Sequence, residues 1–502
     1  MLSFSSQISV LVLMLLCAVT FHRSFCCHDR DRTLLLIFKQ GVVDPSKRLS
    51  SWSSTNEDCC SWQGVICNFN TSRVQTLDLG NLNKNGSESL GGEINLSSLL
   101  ALEFLDWLQL GHNDFERIST PSINTSIATH SHFPANFSLL SFMDLSYNVH
   151  LRIDNLHWLS KLPFLKILYL SGVHLPSGTK WVHSLALLPL KGLYLNDCNL
   201  NSSILSLEHA NFSSLSSLDL GLNDFTCGLP NWLFNLSKDL YDLHLNQCNL
   251  RGPVPDFSGY RNLQILYLSN NKLNGLIPDW LGKHLRLCDL DLSINSFHGS
   301  IPSNLANMSS LSYLNISFNN LSGALPKNID QITFFILDVS HNSISGDISK
   351  LKLQGGIFMS FNKFKGQLPQ VPYYGVEVLD LAHNSFSGSL SSLCGHIENG
   401  ALPQLKYLDL SDNYLTGELP NCLNNWTDLS YIYLGNNQLV GQLPPMIGSF
   451  LDKLRALDLH NNGFSGQVPW TIHNCTSLVL INLEGNHFSG SIPTWMPQMC
   501  QL

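Results

Sequence analysis

Cysteine and asparagine side chains carry most of the chemistry that this sequence offers. The chain has 14 cysteines, a number typical of proteins that fold where thiols are oxidised to disulfides. The acceptor pattern for N-linked glycans, Asn-x-Ser/Thr, occurs 13 times, and it is used on secreted proteins. The acceptor residues are Asn70, Asn85, Asn95, Asn124, Asn136, Asn201, Asn211, Asn235, Asn307, Asn315, Asn320, Asn425 and Asn474. Together, the cysteines and the acceptor sites predict a glycosylated, disulfide-bonded extracellular protein.

Residue patterns for catalysis give no support to an enzyme. The sequence has no glycine-rich phosphate loop, no His-Glu-x-x-His pair and no Gly-x-Ser-x-Gly elbow. His341 and His383 stand at equivalent points of two repeats, but the repeat of Asn362 intervenes between them. We therefore interpret both histidines as solvated surface residues rather than metal ligands, and we expect no cofactor and no metal.

The charge balance excludes nucleic acid as an expected partner. Lys and Arg total 28 against 37 Asp and Glu, which gives a net charge of −9, whereas phosphate backbones attract basic surfaces. Only 13% of the residues are charged, about half the usual share of a soluble protein. Glycans are therefore expected to supply the solubility that the few charges do not.

Residues 1–26 are predicted to be a secretory signal peptide. Residues 8–19 form an apolar run of the length of a signal-peptide core, shorter than the roughly 20 residues that cross a bilayer. No later stretch is continuously apolar for long enough to anchor the chain. The product is expected to enter the secretory pathway with no membrane span in this chain.

A sequence repeat must position these sites along the rest of the chain. From about residue 74 the pattern L-x-x-L-x-L-x-x-N-x-L/F-x-G-x-I/L-P recurs with a period near 24, as in residues 263–278. About 17 copies are predicted over residues 74–502. Arrays of this kind stack so that each repeat completes its neighbour's core.

The repeat predicts an α/β solenoid with a parallel, concave sheet. Alternate leucines of a short strand point inward, and the asparagine pairs with main-chain groups of adjoining turns. Cys198 and Cys248 stand in the asparagine position, and we interpret them as accepted substitutes. The Gly-x-Ile/Leu-Pro segment should interrupt regular structure, so that the convex side is extended or irregular rather than built of long helices.

The repeat resembles the plant-specific leucine-rich repeat, and residues 27–73 resemble the N-terminal cap of plant receptor-like proteins and receptor kinases. Further similarity is to receptor-like proteins of the ethylene-inducing xylanase receptor type. The stretches that carry the resemblance are DRDRTLLLIFK at 29–39, LSSW at 49–52, DCCSWQGVIC at 58–67, LGGEI at 90–94, HWLS at 157–160 and residues 417–422. The resemblance implies a plant defence receptor ectodomain that binds a microbial protein or peptide and acts with partner receptor kinases.

The same resemblance implies two disulfides in the cap, Cys27–Cys59 and Cys60–Cys67. Free thiols are one alternative, which an oxidising compartment disfavours. A zinc site is the other alternative, and it lacks a second spaced pair of ligands nearby.

The sequence leaves the pairing of the remaining cysteines open. Cys394 and Cys422 fall at nearly the same point of two consecutive repeats, so stacking either joins them in a disulfide or leaves them apart. The sequence names no partner for four others, whose alternative role is that of small buried apolar residues. These are Cys227, Cys288, Cys475 and Cys500.

The candidate ligand-binding residues are Tyr169, Tyr194, His244 and Tyr267, which lie between the two strand leucines of their repeats. Stacking would place them in one column of the concave face, and aromatic residues are enriched at protein interfaces. The alternative is that tyrosine simply suits a strand surface. A glycan on Asn315 would block the middle of the same face and leave the ligand strip on its N-terminal side.

A long interval in the array provides a second candidate. Residues 116–137 have room for a loop outside the solenoid, and such loops often carry recognition. The sequons at Asn124 and Asn136 support the alternative of a shielded spacer.

The main functional prediction is the ligand-sensing ectodomain of a plant cell-surface receptor. Leu502 stands where another repeat would begin, so we expect an array that is incomplete at its C-terminus, before the cap and membrane helix of the receptor family. The expected location is the extracellular side of the plasma membrane if a longer form exists, and the apoplast otherwise. The alternatives are a secreted inhibitor of fungal wall hydrolases, resembling the polygalacturonase inhibitors, and a truncated decoy.

Overall fold

The computed structural model describes residues 27–81, 87–119, 139–176, 180–201, 212–226, 229, 231–372, 375–394, 404–445 and 447–492. Several predictions made above lie outside these residues. They concern the signal peptide (1–26), Leu502, Cys227, Cys500, Asn85, Asn124, Asn136 and Asn211. The chain divides into two compact units, residues 1–215 and 216–502, and each is described by itself.

The first unit begins with an α-helix, Asp29–Gln40, which covers the start of the array. Leu35 and Phe38 lie on its buried face, as its apolar spacing predicts. Asp31 is also fully buried, and it accepts hydrogen bonds from Arg73 Nε at 2.9 Å and Nη2 at 2.8 Å. This bidentate pair satisfies a buried carboxylate and fixes the helix on the following strand.

Six short strands form the main sheet of the first unit. The first two are antiparallel and the others are parallel. Their bounds are Val65–Cys67, Val74–Asp78, Trp107–Gln109, Phe142–Asp144, Ile167–Tyr169 and Gly192–Tyr194. A smaller sheet joins Val42–Val43, Gly91–Asn95 and Asp114–Ser119, and the remaining helices are Cys59–Ser61, Leu96–Leu100, His157–Lys161 and Lys180–Ala186.

The second unit contains a parallel sheet made of the Leu-x-Leu segments, which we call the leucine sheet. Its central leucines, such as Leu290 and Leu314, point into the core and are at most 1% exposed. Its strands are Ser217–Asp219, Asp242–His244, Ile265–Tyr267, Asp289–Asp291, Tyr313–Asn315, Ile336–Asp338, Gly355–Phe358, Val376–Asp380, Tyr407–Asp409, Tyr431–Tyr433, Ala456–Asp458 and Leu480–Asn482. The predicted solenoid with its parallel sheet is thereby confirmed.

A second set of parallel strands follows the asparagine positions of the second unit. Its strands are Arg251–Gly252, Lys272–Gly275, Ser296–Ser300, Asn320–Gly323, Ser343–Asp347, Lys363–Gly366, Ser385–Ser389, Tyr414–Gly417, Gln438–Gln442, Gly463–Gly466 and His487–Phe488. All of these strands but His487–Phe488 end at the glycine of the Gly-x-Ile/Leu-Pro segment or its equivalent, or one residue after it, in agreement with the extended course expected here. Gly323, for example, has a φ of 80° and ends a strand that pairs with both neighbouring repeats, because each repeat satisfies the main chain of the next.

Short helices connect these two sets of strands in the second unit. They are the 3-10 helices Asn231–Asn235, Asp279–Lys283, Ser303–Asn307, Ile329–Gln331, Leu390–Leu393, Asn421–Asn425 and Trp470–Asn474, and the α-helix Ile447–Phe450. Long helices are absent from this part of the described chain, in agreement with the prediction from glycine and proline.

The asparagine ladder provides the polar part of the core. Asn319 Nδ2 lies 3.0–3.2 Å from the carbonyl oxygens of Leu292, Ile316 and Ser317, and its Oδ1 accepts the amide of Phe297 at 3.0 Å. One side chain thereby satisfies main-chain groups of two successive repeats, its own and the preceding one.

Cysteine fills the same position in two repeats. The thiols of Cys198 and Cys248 donate to the carbonyl oxygens of Leu170 and Leu220, at 3.1 and 3.2 Å. This geometry supports their interpretation as substitutes for asparagine. Burial raises the pKa of the Cys248 thiol to about 12, which keeps it protonated and able to donate.

Candidate ligand-binding surface

Aromatic rings stack on the solvent-facing side of the main sheet in the first unit. The rings of Tyr169 and Tyr194 are parallel, with centroids 4.0 Å apart. Two residues that the sequence analysis missed extend this stack: Phe142 lies 5.6 Å from Tyr169, and Trp107 lies 3.5 Å from Phe142. Each of them precedes the central apolar residue of its strand, whereas Tyr169 and Tyr194 follow it. Comparing the residues on both sides of this central residue across repeats would have found them.

The other two candidate residues lie together in the second unit. His244 and Tyr267 are register partners on adjacent strands, with ring centroids 4.6 Å apart. His244 Nε2 lies 2.7 Å from Asp242 Oδ1. Burial lowers the pKa of His244, but the neighbouring carboxylate outweighs it, so the net shift is upward.

Carboxylates occupy the outward position of several strands of the leucine sheet. In Asp338 and Asp409, Oδ1 accepts hydrogen bonds from the main-chain N and the Oγ of the serine two residues later, at 2.6–3.0 Å. Asp380 accepts from Ser360 Oγ at 2.7 Å. Burial raises the pKa of Asp380 to about 6, and the charges of Asp409 and Asp338 act in the same direction.

A left-handed residue follows each leucine strand by three positions, and we call this series the αL column. In the second unit its non-glycine members have φ between 49° and 55°. They are Leu222, Gln247, Asn270, Ile294, Phe318, His341, Phe361, His383, Asp412, Asn436 and Asn461. Asparagine tolerates this conformation, whereas a β-branched residue such as Ile294 rarely adopts it.

Four members of the αL column form a continuous aromatic stack. Phe318, His341, Phe361 and His383 have successive ring centroids 4.0, 4.2 and 3.9 Å apart, with interplanar angles of 22° or less. The stack ends where His383 Nε2 meets Asp412 Oδ2 at 3.3 Å. One repeat separates the two histidines, as predicted, and Phe361 of that repeat joins their rings, a contact that the sequence did not predict.

The described glycan acceptors are distributed unevenly over the second unit. Four of them each end a 3-10 helix, at Asn235, Asn307, Asn425 and Asn474. Asn315 instead lies on the leucine sheet, where its Oδ1 accepts the Oγ of Ser317 at 2.7 Å. The acceptors Asn70, Asn95, Asn201 and Asn320 are also among the described residues.

The second candidate surface is described only at its start. Residues 116–119 belong to the strand Asp114–Ser119, which pairs with Gly91–Asn95, so this part is not a loop. The rest of the predicted loop lies outside the described residues.

Disulfides join Cys27 to Cys59, Cys60 to Cys67 and Cys394 to Cys422. The sulfurs of Cys27, Cys59 and Cys60 lie within 4.8 Å of one another. Because all three are engaged in disulfides, they are not available as thiolate ligands for zinc.

Two cysteines without a predicted partner have different surroundings. Cys475 is 1% exposed, and its thiol donates to the carbonyl oxygen of Leu451 at 3.1 Å. Cys288 is partly exposed, and its thiol donates to the carbonyl oxygen of Gln264 at 3.3 Å.

Family comparisons agree with this architecture. A model described as "Leucine rich repeat N-terminal domain" matches residues 28–68, and one described as "Leucine rich repeat" matches residues 261–321. A further leucine-rich repeat model matches residues 375–397, 404–426, 428–450, 453–475 and 477–499.

Two receptor-like proteins of Solanum lycopersicum are similar to about half of the chain. Receptor-like protein EIX1 is 32% identical over 274 residues, which are 49% of this chain and 26% of that protein. Receptor-like protein EIX2 is 30% identical over 290 residues, or 53% and 28% of the two chains. The chain thus spans about a quarter of the length of these relatives. Polygalacturonase inhibitor 2 of Phaseolus vulgaris is 36% identical over 111 residues, 21% of this chain and 30% of the inhibitor.

Solved structures match more of the chain. The Arabidopsis receptor kinase HAESA, in complex with the peptide hormone IDA and the co-receptor SERK1, gives a TM-score of 0.69 at 28% identity, covering 94% of this chain and 76% of HAESA. The leucine-rich repeat ectodomain of GASSHO1/SCHENGEN3 from Arabidopsis thaliana, in complex with CASPARIAN STRIP INTEGRITY FACTOR 2, gives 0.63 at 28% identity, covering 92% and 54%.

Within the described residues, no helix is both long and apolar enough to cross a bilayer. The N-terminal and repeat matches, the parallel sheets and the similar receptor ectodomains agree with one another. The chain therefore carries a leucine-rich repeat N-terminal domain and leucine-rich repeats, and it is similar to plant receptor-like proteins.

Proposed function

We propose that this chain is the extracellular ligand-recognition part of a plant receptor-like protein in defence signalling. Its ligand would be a microbial protein or peptide, and its partners would be receptor kinases. We propose the same organisation as above: a signal peptide at 1–26, a cap at 27–73 and repeats over 74–502. The row of aromatic rings at Trp107, Phe142, Tyr169 and Tyr194, in which Trp107 is exposed and the two tyrosines are partly exposed, is the observation that carries the proposal.

Two arguments support a protein or peptide as the ligand. Stacked rings present a rigid surface that loses little side-chain entropy on binding, and such residues dominate the energetics of protein interfaces. The similar ectodomain structure of HAESA is a complex with the peptide hormone IDA. His244 and Tyr267 are proposed as further contacts on the second unit.

A secreted inhibitor is the second candidate. It is favoured by the similarity to polygalacturonase inhibitor 2, although that similarity covers a shorter part of this chain than the similarity to the receptor-like proteins does. Its ligand would be a fungal wall hydrolase, and binding would abolish the activity of the hydrolase.

Binding and inhibition assays separate these two functions. The full chain, secreted from plant cells, is immobilised and exposed to a fungal xylanase and to a fungal polygalacturonase, while hydrolase activity is measured in parallel. The receptor function predicts binding without inhibition, with the affinity lowered at least tenfold by the double substitution Tyr169→Ser and Tyr194→Ser.

The matched control is Tyr414→Ser, because Tyr414 is 57% exposed on the second set of strands. Equal losses of affinity in the control and in the double variant would contradict the proposed surface. Inhibition of either hydrolase would favour the inhibitor instead.

A further inference from the structure

Among the residues that the structure describes, three carboxylates on the leucine sheet of the second unit form no ion pair with Lys or Arg. Asp338, Asp380 and Asp409 face outward from the strands that end at them. The lysine ion pairs described in this unit lie elsewhere, at Lys406–Glu377 and Lys453–Asp428. The imidazole of His341, when protonated, lowers the pKa of Asp338 without reversing its net rise.

Their negative charge is not needed to build the strand end. Asn315 holds the equivalent position in its repeat, and its Oδ1 accepts the N and the Oγ of Ser317 at 3.0 and 2.7 Å. Asn482 does likewise with the amide of Glu484 at 3.2 Å. A neutral amide therefore suffices for this hydrogen bond.

At Asp338 and Asp380 the negative charge is also unfavourable. Burial is the largest cause of the raised pKa of Asp338 and of Asp380, and for Asp380 neighbouring carboxylates add to it. A charge that the fold does not need, and that burial disfavours, implies a role outside the fold. One bound cation would offset both the cost of burial and the repulsion between neighbouring carboxylates.

The aromatic stack of the αL column borders these carboxylates. Asp338 and His341 are three residues apart in one repeat, as are Asp380 and His383. Phe318 and Phe361 are 49% and 44% exposed. An apolar strip therefore runs beside an acidic one, and both follow the direction in which repeats stack.

We propose that this double strip, when Asn315 carries no glycan, binds an extended cationic peptide segment, with Lys or Arg side chains on Asp338, Asp380 and Asp409 and apolar side chains on the rings of Phe318 and Phe361. The inference rests on the proposed ligand-recognition function and names the chemical class of its ligand. Complementary charge is the reason for choosing a cationic segment.

The spacing suits an extended chain. Neighbouring strands lie about 4.8 Å apart, so Asp380 and Asp409 are separated by about 5 Å and Asp338 and Asp380, two repeats apart, by about 10 Å. Side chains on one face of an extended peptide recur at about 6.6 Å, and flexible lysine or arginine stems cover the difference. Alternating residues would then face the acidic strip and the apolar strip.

Synthetic peptides test the charge requirement. The probes are fluorescein-labelled 12-residue peptides of alternating Arg and Leu, Arg and Ser, or Glu and Leu, and their binding to the full chain is measured by fluorescence anisotropy in 50 and 300 mM NaCl. The Arg-Leu peptide is expected to bind at least fivefold more tightly than the Arg-Ser peptide and to weaken with salt, and the Glu-Leu peptide is expected not to bind.

Substitutions test the two strips separately. The triple variant Asp338→Gln, Asp380→Gln and Asp409→Gln removes the three charges, whereas asparagine would create Asn-x-Ser glycan acceptors at 338 and 409. The triple variant should weaken Arg-Leu binding at least tenfold. The double variant Phe318→Asn and Phe361→Asn copies other αL-column residues, such as Asn270, and it should reduce Arg-Leu affinity to that of Arg-Ser. Circular dichroism melts verify that both variants fold.

A charge-matched control removes three exposed carboxylates that lie away from the leucine sheet, by Asp279→Asn, Glu418→Gln and Asp452→Asn. Equal loss of affinity in this control and in the triple variant would overturn the proposal, because attraction would then follow net charge alone. Binding of the Glu-Leu peptide as tight as that of Arg-Leu would also overturn it.

Failure of this inference is distinguishable from failure of the proposed function. Suppose that the chain binds the fungal xylanase through Tyr169 and Tyr194 but binds the Arg-Leu and Glu-Leu peptides with equal affinity. The ligand-recognition function would then stand, and the assignment of a cationic ligand would be wrong. Arg-Leu binding that is lost only in the strip variants supports the inference, whatever the outcome with the xylanase.

Discussion

His284 occupies the position in its repeat that Met308 occupies in the next, since each directly follows a 3-10 helix. Both are buried, at 2% and 0% exposure. Neither ring nitrogen of His284 makes a hydrogen bond among the described residues. A polar imidazole thus stands where the neighbouring repeat places an apolar side chain.

The first prediction is that His284→Met stabilises the protein, most of all at acid pH. Burial lowers the pKa of His284, with smaller opposing effects from the main chain of Tyr260 and the charge of Asp256. Because the unfolded state binds the proton more readily, stability is lost as pH falls through the ordinary histidine value of about 6.5. Chemical denaturation should give a gain of about 1–2 kcal/mol at pH 7.5 and more at pH 5.

The control for this prediction is His298→Met, at an exposed residue of the second set of strands. It removes one histidine without changing the core, so its stability should follow that of the unsubstituted chain at both pH values. A parallel response of the two variants would assign the effect to histidine content rather than to burial.

The second prediction concerns Asp380→Asn. The folded-state pKa of about 6 lies above the value in an unfolded chain, so the folded protein holds this proton more tightly. The resulting stabilisation is present at low pH and is lost as pH rises through about 6. The variant should therefore be more stable than the unsubstituted chain at pH 7.5, by about 1 kcal/mol, and nearly equal at pH 4.

Denaturation midpoints at the two pH values measure this difference. Asp279→Asn, at an exposed carboxylate of the helix Asp279–Lys283, is the matched charge change. A gain at pH 7.5 that also appears in the control would reflect net charge, and a constant gain at both pH values would contradict the raised pKa.

The third prediction compares two replacements of Asn319. Asn319→Leu removes every hydrogen bond of its amide and should cost about 3 kcal/mol, because three carbonyl groups in two successive repeats lose their donor. Asn319→Cys restores one thiol donor, as Cys248 does in its repeat, and should cost about half as much. Urea unfolding measures both, with Asn274→Leu at an exposed position as the control.

The fourth prediction is that the disulfide between Cys394 and Cys422 stabilises the second unit. It closes a segment of 28 residues, and chain entropy then gives about 3–4 kcal/mol for the double substitution to alanine. Melting of the second unit, followed by hydrogen exchange of its leucine sheet, should move to lower temperature. Substitution of Cys288 to alanine provides the comparison, and an equal shift there would show that the loss is not due to the crosslink.

The repeat period predicted the strands because strict alternation of leucine is dictated by burial on one face. It also predicted the asparagine ladder, including its cysteine substitutes, since a buried main chain must find partners. The same alignment places His284 among apolar residues, although the sequence analysis did not compare that position across repeats.

Contacts between repeats of unequal length were harder to predict. Asn342 and Asn362 are only 20 residues apart, yet Phe361 still stacks between His341 and His383 because the loop absorbs the missing residues. The pairing of the second set of strands was missed because its stabilisation comes from neighbouring repeats, whereas glycine and proline report only local preference. The surface is therefore less predictable than the core, since its contacts cross repeats without a shared pattern.

The αL column separates the shape of the main chain from the identity of its side chains. Leucine, glutamine, asparagine, isoleucine, phenylalanine, histidine and aspartate all occupy this position in the second unit with φ between 49° and 55°. Because this conformation accepts such varied residues, the side chain at this position can be substituted in each repeat independently. Combinatorial libraries confined to these positions would therefore alter what the protein recognises while leaving its scaffold intact, which makes the array a starting point for engineered binders.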